Sequence, residues 1–213
     1  MSLAAARRIG NETSATRLAI LDATERMMID AGYAAVSTRK VAAAVGQTPA
    51  LVHYYFPATD DLLLAVYRRA AARNLERVNQ ALASPQPLAA LWALSTDPAR
   101  TVLAAEFMAL ANHRKAIAGE IARNIEHSRE LQAAAFARAL AANGSLRDRD
   151  AAAGFAFLMA GASRALIMEQ GLGVAAGHDA ARSLVEAWLQ RVEGAPSANK
   201  GAKPRTAARR TRR

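Results

Sequence analysis

The stretch from Val36 to Phe56 constrains this chain most, because about twenty residues carry start, stop and restart signals for two short helices. Ser37 is a good N-cap, its hydroxyl able to accept from an unpaired backbone N–H one turn on, and Val36 before it can staple onto Val41. A helix therefore starts at Thr38. Val41 and Val45 lie four apart on one face, Ala42 to Ala44 are small enough for close packing, and Gly46 supplies the left-handed residue that ends it. Thr48 then caps a second helix, Ala50 to Phe56, with Pro49 at its first position, where a missing N–H costs nothing. The pattern reads as a helix-turn-helix.

The second helix displays more than a small core can bury. His53, Tyr54, Tyr55 and Phe56 are consecutive, and helical spacing makes Val52 and Phe56 the core pair while Leu51, His53, Tyr54 and Tyr55 point partly outward. One reading is a small core with amphipathic tyrosines at its edge. The other is that Tyr hydroxyls, a His and the cap Thr48 meet phosphates and base edges in a DNA major groove.

From about Arg17 to Leu64 the chain resembles the N-terminal domain of the tetracycline-repressor-like (TetR) family of bacterial transcription regulators. The resemblance rests on Ala31, Gly32 and Tyr33 at the end of the first helix, on Ser37, Thr38 and Arg39 opening the alanine-rich second helix, and on Gly46. It rests further on Val52, His53, Tyr54, Tyr55 and Phe56, and on Asp60, Asp61 and Leu62. It implies an all-α protein: an N-terminal three-helix helix-turn-helix domain joined by a long helix to a C-terminal helical domain for ligand binding and dimerisation. Two departures stand out. Gln47 follows the turn glycine where the family has an apolar residue, and Thr59 stands where it has a phosphate-binding Lys, which weakens one expected backbone contact.

With 213 residues and 52% hydrophobic content the chain has ample material for a core, as one domain or two small ones. It has no cysteine, which excludes disulfides and thiolate metal sites and fits a reducing cytoplasm. Arg7 and Arg8 precede no apolar segment, and the apolar stretch Ala151 to Ala162 is too short to span a bilayer, so a soluble cytoplasmic protein is expected. The net charge of +10 is concentrated. Seven of those charges lie from Lys200 onward with no acid among them, leaving +3 on residues 1–199. Charge alone is thus a poor argument for nucleic acid, and the motif must carry it.

Four divisions follow: a flexible arm at 1–13, a helix-turn-helix domain at 14–58, a helical effector-binding and dimerisation domain at 59–195, and a disordered basic tail at 196–213. The first helix, about Ser14 to Ala31, sends Leu18, Leu21, Met28, Ile20, Met27 and Ala31 toward one side, and Tyr33 reads as a core plug. Thr59 is expected to cap a long fourth helix with Asp60 and Asp61 in its first turn, running to about Ala83. Helices are further expected over Leu88 to Leu94, from Pro98 to Asn112, through Ile117 to Leu140 with a stop at Asn143 and Gly144, from Asp148 to Gln170, and from His178 to Val192.

Nothing in the pattern supports an enzyme. The four histidines share no zinc spacing, Gly171 and Gly173 follow a helical pattern rather than a strand, and neither a phosphate loop nor a nucleophile elbow is present, so no metal, cofactor or catalytic residue is expected. The family implies instead a homodimeric regulator, a repressor of a palindromic double-stranded DNA operator released by a small-molecule effector. A helical ligand binder that no longer reads DNA, and an activator of the same family, are the alternatives. DNA contacts are expected from Thr38, Arg39, Thr48, Pro49, Ala50, Leu51, His53, Tyr54 and Tyr55, with a weaker phosphate role for Thr59. An effector pocket is sought among Trp92, Phe107, Met108, Asn112, His113, Phe136, Phe157 and Met168, each of which core packing explains as well. The dimer interface is sought in the last two helices, at Phe155, Met159, Ala162, Leu166, Leu184, Val185 and Trp188, which equally well complete the monomer's core.

The basic tail would add non-specific DNA affinity through counterion release. Deleting residues 200–213 is expected to flatten the slope of log affinity against log salt, by roughly 0.9 for each phosphate the tail neutralises. An unchanged slope would leave the tail as a solubility feature.

Overall fold

The computed structural model describes residues 14–142 and 149–194. The expected arm, tail, Asn143–Gly144 stop and Asp148 start lie outside these residues. Among the described residues the chain is built of helices and turns: α1 (Ala15–Ala31), a single 3-10 turn (Tyr33–Ala35), α2 (Thr38–Ala44), α3 (Pro49–Tyr55), α4 (Thr59–Leu82), α5 (Pro87–Ser95), α6 (Pro98–His113), α7 (Lys115–Ala142), α8 (Arg149–Gly171) and α9 (His178–Glu193).

Local chemistry sets these boundaries. Ser14 caps α1 by accepting from the Arg17 N–H at 3.2 Å, and Ser37 caps α2 by accepting from the Lys40 N–H at 3.3 Å. The end of α2 is a Schellman motif: the Gln47 N–H reaches Ala42 O at 2.9 Å and the Gly46 N–H reaches Ala43 O at 3.2 Å. Gly46 holds φ at +64°. A Cβ there meets nothing within 4 Å, so the cost of replacing it is the left-handed backbone alone, about 1 kcal/mol.

The start of α4 differs from expectation. Ala58, not Thr59, is the N-cap, and the missing side-chain cap is replaced by Asp61, whose carboxylate accepts from the Ala58 N–H at 3.0 Å. Thr59 is therefore the first helical residue. In α1, Leu18 is exposed and so is Ala31, contrary to the expected stripe, because Ile20, Leu21, Ala23, Thr24 and Met28 take the inner face.

Two apolar clusters hold the helices. The first joins Ile20, Leu21 and Met28 of α1, Val41 of α2, Val52 and Phe56 around α3, and Leu62, Leu63, Val66 and Tyr67 of α4. It is completed by Leu103, Phe107 and Leu110 of α6 with Ile117 and Ile121 of α7, and Tyr67 meets Phe107 edge to face at 5.0 Å. The second gathers Val78 of α4, Leu88, Leu91 and Trp92 of α5, Phe136 and Leu140 of α7, Ala156 and Leu166 of α8, and Leu189 and Val192 of α9. Glu193 ties the ends of this half together, accepting from the Leu88 and Ala89 N–H groups at 2.6 and 2.9 Å, where the positive end of α5 favours an anion.

Helix α8 also departs from the sequence reading. Its apolar pattern continues past Ala162 to Met168, so Asp150–Gly171 is long and apolar enough to cross a membrane by length and composition. Arg164 interrupts it, and one side of it packs on α7.

Charges pin α1 to α4. Arg69 meets Asp22 at 2.7 Å and Glu25 at 2.8 Å, and Arg73 meets Glu25 at 2.6 Å. Burial works to raise the Glu25 pKa, but hydrogen bonds from Arg73 and Arg69 and their charges outweigh it and leave the carboxyl below its usual range. A depressed folded pKa gives stability that is present above the unfolded carboxylate pKa and is lost as pH falls through the folded one. Glu25→Gln is therefore expected to lower stability at pH 7 by about 1 kcal/mol after solvent screening, and the gap to wild type should close below about pH 4. Thermal unfolding across pH 3 to 7 checks this, and a gap independent of pH would show that the loss is not electrostatic.

Candidate nucleic-acid interface

The reading surface is built from α2 and α3. Val52 is fully buried and Phe56, which caps α3, is 2% exposed; the spacing of these two fixes the rotation of α3. His53 and Tyr54 consequently face solvent, Tyr54 with half its surface free, and Leu51 and Tyr55 are half-buried. Tyr55 packs on the first cluster and meets Tyr54 edge to face at 5.2 Å. Thr48 accepts from the Leu51 N–H at 3.4 Å, so its backbone and that of Pro49 and Ala50 stand exposed at the positive end of α3.

His53 joins the two helices. Its Nδ1 lies 3.4 Å from Pro57 O and its Nε2 lies 3.3 Å from Thr38 Oγ1. A carbonyl can only accept, so in the neutral ring Nδ1 carries the proton and Nε2 accepts from the Thr38 hydroxyl. Thr38 and His53 thus hold one another in place on the same surface, while Arg39 stands exposed beside them. Thr59 lies half-buried at the start of α4.

Two basic residues join this surface that the sequence pattern does not single out. Lys40 is exposed on the first turn of α2 next to Arg39, and its charge in a capped first turn is a readable signal. Arg17 of α1 lies over the Phe56 ring at 5.0 Å from its centre, a long-range contact with no local signature.

The surface is braced from the C-terminal half by α6. Glu106 Oε2 accepts from the Tyr33 N–H at 2.7 Å, in the turn that leads into α2. Gly32 holds φ at +78°, which strains any other residue, and a Cβ on it would come within 3.3 Å of that same oxygen, so the carboxylate would have to give by a few tenths of an ångström. Tyr33 is half-buried and packs on the first cluster, as a core plug would, and its ring also stacks on His113 of α6 at 6.2 Å. Arg114, between α6 and α7, pairs with Asp60 in the first turn of α4, and Arg68 clasps Glu120 of α7 through two bonds of 2.7 and 2.8 Å.

The residues sought as an effector pocket do not line one space. Trp92 and Phe136 are buried in the second cluster and Phe107 in the first, each filled by its neighbours. Met108, Asn112 and His113 are exposed, and Phe157 and Met168 point outward from α8, each 62% exposed. The dimer residues divide as well. Leu166 is buried in the chain's own core, where it has almost no surface to offer a partner, whereas Leu184 is 72% exposed. Phe155 and Trp188 stack at 4.7 Å beside Phe136, and Met159, Ala162 and Val185 pack half-buried on that cluster. Among the described residues no three His, Asp or Glu side chains converge as metal ligands would.

An outward α3 fixed by two buried side chains, behind a capped α2 and a Schellman turn, defines a helix-turn-helix protein whose later helices complete its core and build a second one. Residues 20–66 match the family model of the bacterial regulatory proteins of the tetR family. The chain shares its fold with several solved transcriptional regulators. A candidate transcriptional regulator from Saccharomonospora viridis, solved with choline, is 21% identical with a TM-score of 0.71 over 82% of this chain and 95% of its own. A TetR transcription regulator from Haloarcula marismortui is 21% identical with a TM-score of 0.65 over 81% and 95%. The multidrug binding protein EbrR, solved with imidazole, is 22% identical with a TM-score of 0.57 over 86% and 98%. No curated protein sequence matches the chain.

Glu106→Ala leaves the Tyr33 N–H without its acceptor and is expected to cost about 1–3 kcal/mol, whereas Glu106→Gln keeps an acceptor oxygen and should lose less. Denaturant titration of both variants separates the bond from bulk charge, and equal losses would assign the effect to charge.

Proposed function

We propose that the chain is a homodimeric, cytoplasmic repressor that reads a palindromic operator through α3 and releases it when a small molecule binds the C-terminal half. The observation that carries the reading is the α3 surface: Val52 and Phe56 are spent on the core, and His53 and Tyr54 are left bare. Arg39 and Lys40 would hold backbone phosphates, and Thr38, Thr48, Pro49 and Ala50 would line the groove edge beside His53 and Tyr54. Leu51 and Tyr55 support that surface, and Thr59 supplies at most a backbone contact at the start of α4. A palindromic site follows from two-fold symmetry, each protomer reading one half.

Ligand-driven release is supported by α6, which carries Glu106 and His113 and leads directly into Arg114, all three in contact with the reading unit. A shift of this helix therefore moves the turn before α2 and the start of α4 together. The effector must favour the DNA-incompetent arrangement, because a ligand that binds both equally shifts nothing. The choline and imidazole complexes of the structural neighbours are in keeping with a C-terminal half that accepts small organic molecules.

Selection of bound duplexes from a random DNA pool is expected to return a palindromic consensus. On that site Tyr54→Ala and His53→Ala should each weaken specific binding by about 5- to 150-fold, from roughly 1–3 kcal/mol per lost base-pair contact, with the fold retained by circular dichroism. Full operator affinity in both variants would sink the assignment.

A further inference from the structure

His53 spends both of its ring nitrogens on the protein. The Pro57 carbonyl holds Nδ1 at 3.4 Å and the Thr38 hydroxyl holds Nε2 at 3.3 Å, so α3 is bonded to α2 through a ring fixed at both ends. The two partners differ in what they can do. A carbonyl only accepts, which keeps a proton on Nδ1 whether the ring is neutral or charged. A hydroxyl can donate or accept, so any change of charge on the ring is taken up at Thr38.

The Thr38 hydroxyl therefore has two settings. Beside a neutral His53 its single proton goes to Nε2, and Thr38 offers only lone pairs to whatever approaches from outside. Beside a charged His53 the Nε2–H donates to Oγ1, and the hydroxyl proton is released to the surface. A phosphate oxygen only accepts, so it is repelled by the first setting and bonded by the second. Thr38 directly precedes the exposed Arg39 and Lys40, which puts two cations beside the place a phosphate would take.

The charged groups on the other neighbouring elements are already engaged. Asp60 of α4 is paired with Arg114, the Asp61 carboxylate accepts from the Ala58 N–H, and Arg17 of α1 lies over the Phe56 ring. Among the described residues no carboxylate pairs with His53. An incoming phosphate is thus the anion that can favour the charged ring.

We propose that His53 is a positioning residue that sets the polarity of Thr38, its protonation turning Thr38 from an acceptor into a donor to a DNA backbone phosphate. This rests on the reading surface proposed above and adds its regulation by pH. An ordinary imidazole changes charge between about pH 5 and 8. Because the charged form binds phosphate better, the complex holds more protons than the free protein, and affinity falls as pH rises through that range.

The test follows binding of the full chain to a labelled duplex carrying the selected consensus, by fluorescence anisotropy at fixed salt from about pH 5.5 to about pH 8. Wild type is expected to lose about tenfold in affinity over this range, and Thr38→Ser, which keeps the hydroxyl, should do the same. Thr38→Val keeps the shape and all four histidines but has no hydroxyl to reverse. Its loss should be no more than about threefold, the share due to the ring's charge alone. Equal losses in wild type and Thr38→Val, or a wild-type affinity indifferent to pH, overturn the switch while leaving the reading surface. Nitrogen NMR shifts of the free protein near pH 8 give a reading without DNA: the proton is expected on Nδ1 of His53, and a proton on Nε2 overturns the arrangement. A chain that binds no selected duplex at any pH overturns the reading surface and this role with it.

Discussion

The helix-turn-helix cannot close its own core. Chains below about 40 residues rarely bury enough surface to fold unaided, and α1 to α3 are close to that limit. The apolar side chains that complete the bundle come from elsewhere: the first turns of α4, then Leu103, Phe107 and Leu110 of α6 and Ile117 and Ile121 of α7. The helix-turn-helix is therefore packed into one cluster with α6 and the first turns of α7.

Two long helices carry that coupling through the molecule. α4 contributes Leu62 to Tyr67 to the first cluster and Val78 and Ala81 to the second, and α7 contributes Ile117 and Ile121 to the first and Phe136 and Leu140 to the second. At 1.5 Å per residue they span roughly 36 and 42 Å. A helix of this length with side chains locked at both ends transmits rotation better than a loop does. The Arg68–Glu120 clasp joins the pair near the first cluster, and hydrogen bonding from Arg68 holds the Glu120 carboxyl below its usual range.

Legibility in the sequence tracks how local the physics is. The caps at Ser37 and Thr48, the turn at Gly46 and the inward pair Val52 and Phe56 are set by residues within one or two turns, and the family motif can be read from them. Helix α8 is apolar on nearly every side, so it has no clear phase: the pattern offers Leu166 to a partner and Phe157 and Met168 to a cavity, and the structure reverses both. Leu18 departs for a similar reason, since its neighbours on α1 are also apolar. The Glu106–Tyr33 bond joins residues 73 apart, and a spacing of that kind leaves no mark on the chain.

The two tryptophans both fall in the second cluster, Trp92 buried and Trp188 stacked on Phe155 and near Phe136. The first cluster has tyrosine and phenylalanine but no indole. Excitation selective for tryptophan therefore sees one half of the molecule and is blind to the other, with one emitter shielded and one half-exposed. The protein carries a built-in optical division of labour: indole emission follows the packing of α5 and α9 in the second cluster, and only tyrosine signals follow the reading head.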